Sequence, residues 1–115
     1  MKSGRLTAVV SGPIDAYETV VEYIVGEYKT DIRGVFAGSV PYVKLAGIVH
    51  GGWQMTRAAL AAMRHVNDGV DVEFCRAKIA TARFFSDHML VTVPAIAESI
   101  VGGSVGTLAL AEAEF

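Results

Sequence analysis

One apolar stripe over the last third of the chain constrains the fold more than any other feature. Cys75, Ile79, Ala82, Phe85, Met89, Val93, Ile96 and Ile100 recur at steps of three and four residues. That spacing places them on one face of a helix, and the face must be covered by other elements. Asp71 is suited to cap the helix, and Glu73 adds negative charge to its first turn. Gly102-Gly103 ends it. Pro94 should bend it, because proline offers no N–H and crowds the carbonyl four residues earlier.

A second helix is expected to open at Gly12-Pro13, since a missing N–H costs nothing in a first turn. Ile14, Tyr17, Val21, Ile24 and Tyr28 supply its apolar face, and it should end near Lys29–Asp31. Between these two helices lies a third, with two starts open to it. Asp31 could cap it, with Pro41 then kinking the helix, or Ser39 could cap it with Pro41 in the first turn. Ile32, Val35 and Phe36 favour the earlier start. Asn67-Asp68-Gly69 stops this helix. No stretch alternates apolar and polar residues as a half-buried strand would. The expected fold is therefore all-α: an antiparallel bundle of three long helices in up-down-up order, with room for a short fourth helix in the C-terminal tail. Residues 1–11 read as a flexible lead-in and residues 12–115 as one domain.

A chain of 115 residues can bury a core without disulfides. Hydrophobic residues make up 52% and charged residues only 19%, an apolar excess over ordinary globular domains. A membrane span, an extensive core or a partner-covered surface would each account for it. A span needs roughly 18 uninterrupted apolar residues, and Lys44, Arg57, Arg64, Lys78, Arg83, Asp87 and Glu98 are spaced so as to interrupt each candidate. Leu6–Val10 is too short for a signal peptide's apolar region. The expectation is a cytoplasmic protein with no membrane segment. Lys and Arg are dispersed and the net charge is −2, which gives nucleic-acid binding no support.

The residues that carry chemistry elsewhere are isolated here. Cys75 is alone and reads as a small apolar residue on a helix face. His50, His65 and His88 have no metal-ligand spacing, so no metal is expected; His50 reads as a hydrogen-bonded interior histidine. Gly47, Gly51 and Gly52 weaken a helix by about 1 kcal/mol each relative to alanine, so close packing or an interface should offset the loss. A phosphate loop is the sharper alternative, but these glycines follow no strand and match no dinucleotide fingerprint. Trp53 beside them reads as a packing anchor, in the core or at an interface. Lys78 and Arg83 are candidate anion contacts, although five residues apart they point in different directions. Arg83 and Asp87 have the spacing of an i,i+4 pair. No nucleophile–base pair is visible, and no catalytic or cofactor-binding residue is assigned.

Two runs carry a family resemblance. The first contains Pro41, Tyr42, Leu45, Gly47, Val49, Gly51, Gly52 and Trp53, followed by Ala58, Ala59, Ala61 and Ala62. The second contains Phe74, Ala77, Lys78, Thr81, Ala82, Arg83, Phe84 and Leu90. In order and spacing they resemble the C-terminal domain of acyl-CoA dehydrogenase-like flavoproteins of the 3-methylmercaptopropionyl-CoA dehydrogenase type. Val43 and Phe85 stand where that pattern has leucine and tyrosine, and Pro94 comes later than the family's leucine-proline pair. The resemblance implies a noncatalytic helical domain that packs against upstream catalytic domains and serves oligomerisation, with a homo-oligomer expected. FAD and acyl-CoA would bind in those upstream regions, and the parent would carry out α,β-dehydrogenation of an acyl-CoA. Phe115 reads as a natural end, which suggests an excised domain or a truncated product. A different class remains open, a small helical module that binds an acyl-CoA or other ligand between helices. An independent enzyme is a third reading.

Overall fold

The computed structural model describes the backbone over residues 3–115 and the side chains over residues 11–115. Its elements in order are α1 (Ser3–Glu27), α2 (Ile32–Ala37), α3 (Ser39–Asn67), α4 (Val72–His88), a 3₁₀ turn (Leu90–Thr92), α5 (Val93–Gly102), α6 (Ser104–Thr107) and a final 3₁₀ turn (Glu112–Glu114). No strand occurs among the described residues, so the all-α class holds. Three long helical stretches dominate: α1, α3 and the α4–α5 pair.

Their boundaries differ instructively from the sequence expectation. α1 begins at Ser3, so most of the expected lead-in is helical; residues 1–2 lie outside the described residues. Pro13 is consequently interior to α1 and buried. Both starts considered for the middle helix are used, by two separate helices. The Asp31 carboxylate accepts from the Gly34 N–H at 3.1 Å and caps the six-residue α2. α3 then starts at Ser39, with Pro41 in its first turn. The break falls at Gly38, where an added Cβ would stand 3.0 Å from Ile100 Cγ2. α3 closes with two bonds, Gly69 N–H to Val66 O at 3.1 Å and Val70 N–H to His65 O at 2.9 Å. With Gly69 at φ +73° this is the Schellman arrangement, which needs a left-handed residue. Asp71 is left-handed too (φ 46°), and its side chain caps nothing, contrary to the expected N-cap.

Pro94 acts upstream of itself. It cannot donate to the Leu90 carbonyl, and the helix tightens to 3₁₀ over Leu90–Thr92 before α5 starts with Pro94 in its first turn. This break shifts the apolar stripe. Cys75, Ala82, Val93 and Ile100 are buried as expected, but Met89 turns outward and Leu90 takes its place in the core. α1 is rotated similarly. Val20 is fully buried, with Ala16, Tyr17, Tyr23 and Ile24 packed around the core, whereas Ile14, Val21 and Tyr28 face outward.

The topology follows from the contacts. Gly51 faces Phe85, Gly52 faces Leu90 and Gly38 faces Ile100, so α4–α5 runs antiparallel along the whole of α3. Pro13 lies near Leu90 and Pro94, and Ala16 and Thr19 lie near Ala97 and Val101; α1 and α5 therefore run parallel. The main core comprises Val20, Leu45, Ile48, Val49, Leu90, Val93, Ala97 and Ile100. Beyond Gly52, α3 and α4 continue as a two-helix arm with a slimmer contact of Ala59 and Ala82, supported by Met55, Leu60 and Met63.

Taken through its bend as one helix of 31 residues, Val72–Gly102 is long and apolar enough by length and composition to cross a membrane. That corrects the expectation that charges interrupt each candidate span. A mostly buried core helix passes the same test; here 28% of the apolar window is buried, including Leu90, Val93, Ala97 and Ile100 in the main core.

Candidate functional site

Gly52 is buried where α3 meets the α4–α5 break, and a Cβ there would stand 2.6 Å from Leu90 Cδ2 and 2.9 Å from Cδ1. A Cβ at Gly51 would stand 3.2 Å from Phe85 Cζ. Gly47, one turn earlier than Gly51, is exposed and would meet nothing within 4 Å. The three glycines are therefore not one packing surface within the chain. Trp53 is 49% exposed rather than a core anchor, and the Arg57 guanidinium lies 5.2 Å from its ring centroid. A cation over an indole face is attracted by its quadrupole.

The candidate anion contacts do not assemble into a site. Arg83 Nε is 3.5 Å from Asp87 Oδ2, an exposed i,i+4 pair worth a few tenths of a kcal/mol. Lys78 is half-buried on another side of α4. Cys75 is buried and unpaired with another cysteine, its Sγ 3.9 Å from the Val70 carbonyl. Among the described residues no group of three or more His, Cys, Asp or Glu comes together as a metal site.

Sequence reasoning missed a cluster of titratable side chains that, among the described residues, bridges α1 and α3. The Tyr17 hydroxyl lies 3.4 Å from the Tyr42 hydroxyl and 3.4 Å from His50 Nε2. Both ring pairs are edge-to-face, with centroids 6.1 Å and 5.6 Å apart. His50 is on the exposed side of α3 rather than in the interior. The hydrogen bond with Tyr42, then burial, then the neighbouring Tyr42 charge raise the Tyr17 pKa above its ordinary value. The fold thus favours the neutral hydroxyl. This contribution is complete below the ordinary tyrosine value of about 10 and is lost as pH rises through the raised one. Denaturant unfolding between pH 8 and 11 should show wild type losing stability above about pH 10, and Tyr17→Phe losing less over the same window. Parallel losses would mean that Tyr17 does not carry the effect.

The rest of the chemistry is apolar surface. An open trough of about 430 Å³ runs between α1 and α5, lined by Ala16, Thr19, Pro94, Ala97, Glu98 and Val101. A second groove, about 340 Å³, lies between α1, α2 and α3 and is lined by Val21, Val25, Phe36 and Val43 among others. Phe36 (67%) and Phe74 (71%) are largely in solvent. The molecule is long and thin, 65 × 28 × 16 Å, with a radius of gyration of 18.4 Å against roughly 13 Å for a compact chain near this length. Its accessible surface is 7645 Å²; a compact 12.2 kDa protein would expose about 6,100 Å², an excess of about 1,500 Å². Such a surface suits contact with other protein rather than enclosure of a substrate.

Comparison with known proteins identifies the family. A family model described as "Acetyl-CoA dehydrogenase C-terminal like" matches residues 4–111. A 3-methylmercaptopropionyl-CoA dehydrogenase of Ruegeria pomeroyi is 38% identical over 76 residues, which cover 66% of this chain and 13% of the relative. The match thus spans a small fraction of that curated relative's length. No solved structure matches the chain.

Proposed function

Because the chain belongs to the acetyl-CoA dehydrogenase C-terminal-like family, we propose that it is a noncatalytic helical domain that packs against upstream catalytic domains and joins subunits of an acyl-CoA dehydrogenase-like flavoenzyme. The family match over residues 4–111 carries this reading. The thin, extended shape and the surplus apolar surface support it, since both suit a body built to be covered by other protein. In the parent, FAD bound upstream would accept hydride in the α,β-dehydrogenation of an acyl-CoA thioester. This chain's own residues would position and join the catalytic bodies.

Binding of an acyl-CoA by this chain alone has weaker support. The charged group lining the α1–α5 trough is Glu98, which repels the phosphates of CoA, and Lys78 and Arg83 do not line it. Light scattering on a size-exclusion column over a concentration series tests the assembly role. The expected result is a dimer or larger species, and a monomer throughout the series would overturn that role. Supplied with FAD, acyl-CoA and an artificial electron acceptor, the chain should give no turnover; turnover would overturn the noncatalytic part of the reading.

A further inference from the structure

α1 and α3 carry opposite charge. From Gly12 to Glu27, α1 holds Asp15, Glu18, Glu22 and Glu27 and no Lys or Arg; α3 holds Lys44, Arg57 and Arg64 and no Asp or Glu. Asp15, Glu18 and Glu22 are exposed at i, i+3 and i+7 on the side of α1 opposite Tyr17, Val20 and Ile24. Arg57 and Arg64, also exposed and seven residues apart, flank a shallow hollow of about 450 Å³ left by Ala58 and Ala61. Seven helical residues span about 10.5 Å, so the ends of the acidic ridge and the two arginines have matching separations. Among the described residues the ion pair made within the chain is Arg83 with Asp87, and none of these five groups takes part in it. Ile14, Val21 and Val25 are exposed beside the acidic ridge, and Trp53 is exposed beside the basic face.

We propose that these two faces pair between two copies of the chain, α1 of each copy lying over the Ala58–Ala61 hollow of its partner's α3. Asp15, Glu18 and Glu22 then face Arg57 and Arg64 twice in one two-fold dimer. Both halves of a self-complementary contact stand on the same chain, as an isologous interface requires. The accessible surface in excess of a compact chain is about 1,500 Å² per copy, more than the roughly 800 Å² that each partner buries in a standard interface. The proposal rests on the assembly role given above and names the surface that performs it.

Sedimentation equilibrium on the full chain tests it. Wild type should self-associate, with a dissociation constant that rises steeply as salt is raised toward about 1 M, where screening acts within roughly 3 Å. Arg57→Glu/Arg64→Glu and Glu18→Arg/Glu22→Arg should each weaken the dimer about a hundredfold or more, since each sets like charges face to face. All four sites are exposed, and an unchanged helical signal in circular dichroism checks that each variant folds. Mixed in equal amounts, the two variants should form a heterodimer, because one then carries two acidic faces and the other two basic ones. A mixture that stays monomeric overturns the pairing. So do variants that dimerise like wild type, or a wild-type dimer indifferent to salt, and these leave the broader assembly role standing. Wild type that is monomeric at its highest soluble concentration overturns both.

Discussion

Leu90→Ala should lower the stability of the domain by about 2–5 kcal/mol, which for a chain of this length moves the thermal midpoint down by roughly 8–20 °C. Leu90 is 1% exposed and sits at the break between α4 and α5. Its Cδ atoms approach Gly52 of α3, and Pro13 of α1 lies close by. One side chain thus serves all three long stretches, and its loss leaves a void none of them can close without moving the others. Val91 is the control. Adjacent in sequence and 62% exposed, it should tolerate alanine within about 0.5 kcal/mol. Chemical denaturation of the two variants checks the contrast, and equal losses would mean that the register after the 3₁₀ turn is not the one described.

That register also shows what the sequence could and could not disclose. The stripe from Cys75 to Ile100 was legible because local periodicity reports a helical face, and Pro94 announced a bend. Which of Met89 and Leu90 faces the core depends on how the helix rewinds through the 3₁₀ turn, and periodicity carries no information about that rotation. The adjacent apolar pairs Val20-Val21 and Tyr23-Ile24 let two neighbouring faces of α1 satisfy the same helical spacing; only packing against α3 and α5 selects Val20. The break at Gly38 coincides with a contact to Ile100, 62 positions later, and the Tyr17–Tyr42–His50 cluster joins residues 25 and 33 apart. Such crossings have no local signature. The glycines were visible as residues that something must offset, but the spacing that puts Gly47 and Gly51 on one face does not reveal that only Gly51 and Gly52 have a neighbour within the chain.

The glycines supply the second large effect. Gly47→Ala should stabilise the domain by up to about 1 kcal/mol, because alanine is the better helix former and nothing stands in its way. The same helical gain is available at Gly52, but there the new methyl would meet Leu90 inside a packed core. Overpacking of that kind costs typically about 1–3 kcal/mol, so Gly52→Ala should be neutral to destabilising by about 2 kcal/mol, and the bulkier Gly52→Val should lose about 1–3 kcal/mol. A double-mutant cycle separates the clash from any other cause. On the Leu90→Ala background the obstacle is gone and the added methyl enters the void, so Gly52→Ala should change sign and become stabilising, with a coupling energy of about 0.5–3 kcal/mol. Additive effects, or a Gly52→Ala as favourable as Gly47→Ala in the native background, would mean that α3 and the α4–α5 break do not approach as closely as Gly52 and Leu90 do here. The glycine at 52 would then need an explanation outside the chain's own core.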